Sequence, residues 1–165
     1  MLPFGYAGWE VFFSVEAVQK DNEVMEPGKF DFWQNHSLHY LEMAFRSDRC
    51  EVIRQPDGYG KKVGDCGDTV EIYLIIDDDR IQRVAYQTDG CMNTIACANT
   101  VAELAEDRKV DDAWDITPDD VIAFLETLPP ANVHCAELAV GALYLALANY
   151  NELKRQSWKK PYLKN

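Results

Sequence analysis

The period of the hydrophobic pattern changes once along the chain, and this change constrains the fold more than any other feature. Residues 69–76 alternate apolar and polar side chains, and three aspartates at 77–79 turn the chain into a second alternating segment at 81–88. After Asp89 and Gly90 the apolar residues recur at helical spacing. We therefore predict a β-hairpin followed by helices.

Several helices are expected around this hairpin. Their predicted ranges are 35–47, 91–106, 110–114, 118–125 and about 134–153. The last helix is apolar on nearly every side in its middle and should be buried. Strands followed by helices, without βαβ alternation, predict an α+β domain. Its small antiparallel sheet of about three strands should be covered on one face by helices, with a long buried C-terminal helix.

The third strand of this sheet is predicted at residues 50–55. The segment after it holds glycines at positions 58, 60, 64 and 67, out of 9 in the whole chain. Because glycine adopts backbone conformations closed to other residues, we expect a loop here. Cys66 and Asp68 lie in that loop, which makes it a candidate site.

Composition excludes several classes of function. The chain carries 16 Lys and Arg against 28 Asp and Glu, a net charge of −12 that repels nucleic acids and anionic membranes. The longest uncharged run, residues 138–148, is shorter than the roughly 18 apolar residues of a membrane span, so we expect no transmembrane segment. The N-terminus has no basic opening or cleavage signal, which predicts a cytoplasmic protein.

The two ends of the chain differ in composition from the part between them. Residues 1–30 mix aromatic side chains with glycine and proline, and we expect an extension that docks or is partly ordered. Residues 154–165 form a basic tail. The domain itself is expected at 31–153.

Three of the five cysteines occupy positions suited to chemistry. Cys66 lies in the glycine segment, and Cys91 and Cys135 each lie near the start of a predicted helix, where the helix dipole favours a thiolate. Three soft thiolates suit Zn(II), Cu(I) or an iron–sulfur cluster. Asp68 and His134 are both candidates for a fourth ligand.

The remaining cysteines and histidines are interpreted as structural. Cys97 follows Cys91 at a spacing that turns it toward the packing, and Cys50 lies in a predicted strand, so we expect two small buried hydrophobic residues. His36 and His39 are explained by capping or solvation near the start of the first helix.

Three short motifs carry a resemblance to a known family. They are Cys66-Gly67-Asp68 before a hairpin, Gly90-Cys91 at a helix start, and the segment LPPANVHC at 128–135. In this order they resemble the IscU/NifU-type iron–sulfur cluster assembly scaffolds, over roughly residues 36–151. The resemblance implies a carrier rather than an enzyme. Such a carrier takes sulfur from a cysteine desulfurase, assembles a [2Fe–2S] or [4Fe–4S] cluster and passes it to apo-proteins.

The resemblance also assigns roles to residues. It implies that Cys66, Cys91 and Cys135 are cluster ligands, that His134 is a candidate fourth ligand, and that Asp68 keeps the cluster labile. A carboxylate is a harder and weaker ligand for iron than a thiolate, which agrees with this role. A zinc-containing sulfurtransferase of the related sulfur-relay type is the alternative, a structural zinc protein is a third reading, and zinc is another possible occupant of the isolated protein.

Two further expectations concern partners. The family's LPPVK chaperone-recognition segment appears here as residues 128–132 without its basic residue, which weakens the case for an Hsp70-type chaperone pair. Cys135 is predicted to be the first sulfur acceptor, assisted by His134, because it should lie on the surface with its thiol ionised.

Overall fold

A computed structural model describes residues 32–157. The helices of this part are α1 (Phe32–Asn35), α2 (Leu38–Phe45), α3 (Met92–Ala105), α4 (Val110–Ala113), α5 (Pro118–Leu125) and α6 (Val133–Arg155), with a 3₁₀ turn at Pro130–Asn132 before α6. The strands are β1 (Gly58–Val63), β2 (Thr69–Asp77) and β3 (Arg80–Thr88). The predicted N-terminal extension and the end of the basic tail lie outside the described residues.

The described strands form one antiparallel sheet in the order β1-β2-β3. The predicted hairpin is β2 and β3, which are paired from Val70 opposite Thr88 to Asp77 opposite Arg80. Asp78 and Asp79 form the turn, with φ of 50° and 55°, a conformation that aspartate tolerates better than most residues. The α+β class, the number of strands and the long last helix are confirmed.

The position of the third strand was predicted wrongly. In the segment 50–55 the pairing is limited to a single bridge between Cys50 and Tyr86, and the strand is instead β1, within the glycine-rich segment. Gly60 explains the error, because a Cβ there would lie less than 3.0 Å from backbone atoms of Ala142 and Ala146. This glycine lets a strand lie directly against α6 rather than allowing the chain to turn.

The core lies between the sheet and the helices. α6 packs against β1, β2 and α3, and α3 also packs against β3. The fully buried side chains at this contact include Ile72, Leu74, Val84, Leu143 and Leu147. By length and composition alone, residues 130–155 would be enough to cross a membrane, but half of the most apolar stretch is buried inside the protein. Packing in the core accounts for its apolar character.

Capping groups fix where the helices begin, and one of them joins α2 to α5. α2 begins after Ser37, whose hydroxyl accepts a hydrogen bond from the Tyr40 amide, so the helix predicted from residue 35 begins at Leu38 and the short α1 precedes it. The Ser37 hydroxyl also donates to the Leu125 carbonyl at the end of α5. This contact ties the start of α2 to the end of α5.

Candidate functional site

Cys66 lies in the turn between β1 and β2. The Gly64 amide donates to the Asp68 carbonyl at 2.8 Å and the Gly67 amide donates to the Gly64 carbonyl at 3.0 Å, which closes the turn. Gly67 has a φ of +90°, so here a glycine is needed for the backbone conformation itself. The Cys66 side chain is exposed at this turn.

Cys91 is the N-cap residue of α3 and is exposed, as expected for a thiol at a helix start. Burial raises the pKa of Cys91, but hydrogen bonds from Thr94 and Asn93 outweigh it, so that the pKa lies below its usual value. The predicted preference for the thiolate is therefore supported at Cys91.

Cys135 differs from its prediction. It lies in the first turn of α6, but its side chain is 0% exposed, so the expectation of a surface thiol is wrong. Burial is the main cause that raises its pKa, and the nearby thiols of Cys91 and Cys66 add to this effect. The helix start does not make Cys135 the most ionised thiol, because the sheet and α3 remove it from water.

Thr94 joins three of the predicted site residues. Its hydroxyl oxygen lies 3.0 Å from Asp68 Oδ2, 3.5 Å from Cys135 Sγ and 3.8 Å from Cys91 Sγ. Three segments that are distant in sequence therefore meet at one buried hydroxyl. Sequence reasoning missed Thr94, although its position three residues after Cys91 places both side chains on the same face of a helix.

His134 and Cys66 lie at the outer side of this group. His134 is exposed, and its Nε2 atom lies 3.6 Å from Cys135 Sγ. Cys66, His134, Lys62 and Glu137 line one cleft between the β1–β2 turn and α6. Within residues 32–157, no three His, Cys, Asp or Glu side chains are already close enough to form a metal site. Binding of a metal would therefore require the ligands to draw together.

Tyr40 is a second residue that the sequence did not single out. Its ring is 2% exposed, and its hydroxyl donates to Asn93 Oδ1 at 2.5 Å, next to Cys91. Burial raises the pKa of Tyr40, and the charges of Cys91 and two other cysteines raise it further. The ring of His36 is stacked on that of Tyr40 with centroids 4.1 Å apart, so His36 packs here instead of serving as a helix cap.

The two cysteines predicted to be structural behave differently. Cys97 is buried, as expected, and burial raises its pKa strongly. Cys50 is exposed, which contradicts the prediction of a small buried residue. Residues 51–55 form no strand that would cover its side chain. Cys50 lies in a separate depression with Lys61 and Glu71 and does not join the group around Thr94.

Sequence comparisons identify a matching family and several relatives of this chain. The model of the NifU-like N terminal domain family matches residues 54–157. The iron–sulfur cluster assembly scaffold protein IscU 1 of Archaeoglobus fulgidus is 38% identical over 100 residues, which are 59% of this chain and 65% of that protein. The corresponding IscU of Escherichia coli is 33% identical over 93 residues, 56% of this chain and 71% of that protein. The chain thus spans less than two thirds of the archaeal relative's length.

Solved structures show the same fold. A crystal structure named as a putative iron–sulfur cluster assembly scaffold protein from Fervidobacterium islandicum has a TM-score of 0.59 at 20% identity, over 69% of this chain and 97% of that one. The N-terminal NifU-like protein of Brucella abortus has a TM-score of 0.59 at 18% identity, over 70% and 94%. With a family model that matches more than half of the sequence, the chain belongs to the NifU-like N terminal domain family.

Proposed function

We propose that this protein is a scaffold on which iron–sulfur clusters are assembled before transfer to apo-proteins. The observation that carries the proposal is the convergence of Asp68, Cys91 and Cys135 on Thr94 in a member of this family. Thiolates are the protein ligands that iron–sulfur clusters use. No observation on the described residues favours the zinc sulfurtransferase instead.

In this proposal Cys66, Cys91 and Cys135 hold the cluster, with Asp68 and His134 as candidates for the remaining position. The exposure of Cys66 and Cys91 leaves the site open toward a partner, whereas Cys135 holds the cluster against the core. Binding must release the thiol protons, since the thiolate is the form that coordinates iron. An open site agrees with a cargo that is assembled, held and then released.

Sulfur delivery calls for an acceptor that a desulfurase can reach. In that step the acceptor thiolate attacks the outer sulfur of the desulfurase persulfide, the sulfur–sulfur bond breaks, and the desulfurase cysteine leaves as a thiolate. Burial removes the premise on which Cys135 was expected to act first. Cys66 and Cys91 are both exposed, and because hydrogen bonds at the start of α3 lower the pKa of Cys91, we propose Cys91 as the first acceptor.

The remaining parts of the function follow from the same role. The protein acts as a carrier rather than as an enzyme, its partners are a cysteine desulfurase and apo iron–sulfur proteins, and its proposed compartment is the cytoplasm. The cluster is [2Fe–2S] or [4Fe–4S], and zinc is a competing occupant of the thiolates. Asn132 occupies the place of the basic residue in the chaperone segment, so an Hsp70-type chaperone should bind weakly.

Anaerobic reconstitution with iron and sulfide tests the proposal. The wild-type protein should gain a visible cluster spectrum with acid-labile sulfide, and Ser substitution of Cys66, Cys91 or Cys135 should reduce both. Cys50→Ser is the matched control, because Cys50 is an exposed thiol outside the group. Absence of a cluster in the wild-type protein, or a loss confined to Cys50→Ser, would refute the proposal.

A further inference from the structure

Thr94 is a buried polar residue at the centre of the candidate site. It is 0% exposed, and its hydroxyl contacts the side chains of Asp68, Cys91 and Cys135. Buried polar groups are costly unless they are hydrogen-bonded, and this one faces three side chains that are candidate ligands of the cargo. Its position calls for a role beyond packing.

The direction of its hydrogen bond follows from the number of protons. A threonine hydroxyl has one proton to donate, whereas a protonated thiol can itself donate. The Asp68 carboxylate is the nearest acceptor, at 3.0 Å, and bonds to charged acceptors are about twice as strong as neutral ones. Thr94 therefore donates to Asp68 in the metal-free protein.

The glycine at position 90 makes room for this pair. A Cβ there would lie 2.7 Å from Thr94 Oγ1 and 2.8 Å from Asp68 Oδ2, so any larger residue would push the hydroxyl and the carboxylate away from their present positions. The contact between Asp68 and Thr94 thus depends on the absence of a side chain at Gly90.

The other candidate ligand has no comparable support. His134 is exposed, and within the described part of the chain its imidazole has Cys135 Sγ as its hydrogen-bond partner, at 3.6 Å. Metal-binding histidines usually donate their second ring N–H to a group that fixes the ring. The Asp68 carboxylate is fixed in this way, and the His134 ring is not.

We propose that Thr94 is a positioning residue that holds the Asp68 carboxylate beside Cys91 and Cys135 and so makes Asp68, rather than His134, the non-cysteine ligand of the cargo. This inference rests on the proposed scaffold function. Thr94 does not bind the metal itself. Without its hydroxyl, the half-buried carboxylate has no donor at this place and turns toward water.

Substitutions at Thr94 separate this role from packing. Thr94→Val keeps the side-chain shape and removes the O–H, whereas Thr94→Ser keeps the O–H. Thr100→Val is the matched control, because Thr100 is equally buried in α3 but donates to the Ala96 carbonyl of its own helix. Asp68→Ala and the double variant Asp68→Ala/Thr94→Val complete the set.

Two measurements report which side chains bind the metal and how fast the cluster is transferred. Co(II) is added to the metal-free variants, and its absorption bands report the ligand set. Cluster transfer from the reconstituted proteins to an apo-ferredoxin reports lability. We expect Thr94→Val to give the Co(II) spectrum of Asp68→Ala and to slow transfer by about tenfold, as loss of a charge-assisted hydrogen bond implies. Thr94→Ser and Thr100→Val should behave as wild type, and the double variant should be no slower than Asp68→Ala.

The outcomes distinguish this inference from the proposed function. If Thr94→Val keeps the wild-type Co(II) spectrum and transfer rate, or if its effect adds fully to that of Asp68→Ala, the inference is wrong. If the wild-type protein forms no cluster, the scaffold function fails, while the Co(II) spectra still test the link between Thr94 and Asp68. Should Thr94→Val fail to fold, Thr94→Ala carries the same expectations.

Discussion

The contact between β1 and α6 at Gly60 gives a prediction whose magnitude follows from the structure. In Gly60→Ala the new Cβ would lie less than 3.0 Å from Ala142 O, Ala146 N and Leu145 C, all of them backbone atoms of one helix. Helix backbone cannot rotate aside, so β1 and α6 must separate by about 1 Å, which weakens dispersion contacts along the whole interface. Overpacking of this kind costs about 3 kcal/mol or slightly more.

Urea unfolding of the full chain, followed by circular dichroism, measures this loss. With a slope near 2 kcal/mol/M, the midpoint of Gly60→Ala should fall by roughly 1.5 M while the slope stays unchanged. Gly64→Ala is the matched control, since its Cβ would meet the flexible Leu138 side chain at 3.2 Å, and its cost should stay below about 1 kcal/mol. Equal midpoints for the two variants would show that close backbone approach does not hold β1 on α6.

Three further predictions concern sulfur, pH and a partner. After a single desulfurase turnover on metal-free protein, mass spectrometry should find persulfide mainly on Cys91; persulfide mainly on Cys135, or undiminished transfer in Cys91→Ser, would contradict this. Hydrogen bonds from the helix cap lower the pKa of Asp120. The ionised side chain should therefore add about 0.5 kcal/mol to the free energy of unfolding above pH 4, and this gain is lost as the pH falls through the pKa that Asp120 has in the folded protein. The midpoint temperatures of thermal unfolding of wild type and Asp120→Asn should therefore differ at pH 7 and agree near pH 2. A difference that stays constant with pH would contradict this prediction. An Hsp70-type chaperone should bind a peptide of residues 128–132 several-fold more weakly than its Asn132→Lys version, as an exposed ion pair of at most about 1 kcal/mol implies, and equal affinities would refute this.

The fold was predictable where local patterns carry the information. The alternation at 69–76 and 81–88 and the Thr117-Pro118 start of α5 depend on neighbouring residues, and the structure has them as predicted. β1 was missed because the reason for Gly60 is the α6 backbone, which lies more than eighty residues away in sequence. A glycine that permits close packing and one that permits a turn look the same in a sequence.

The candidate site was predictable in its residue types and less so in their environments. The positions of Cys91 and Cys135 at helix starts were correct, but the burial of Cys135 depends on how α6 packs against α3, which no local pattern reveals. Thr94 was overlooked because its role exists only through contacts with Asp68 and Cys135, which are distant in sequence. Contacts across segments thus decide which thiols are reachable.

The candidate ligands come from three chain segments, and this has a consequence for the stability of the loaded protein toward unfolding. Cys66 and Cys91 are 91 − 66 = 25 residues apart, and Cys91 and Cys135 are 135 − 91 = 44 apart. A cargo bound by all three would act as a reversible cross-link that closes both loops, and it would restrict the unfolded chain as a disulfide does. The loaded protein should unfold at a higher temperature than the empty one. Delivery of the cargo would then remove both loop closures, and the empty protein would lose this part of its free energy of unfolding.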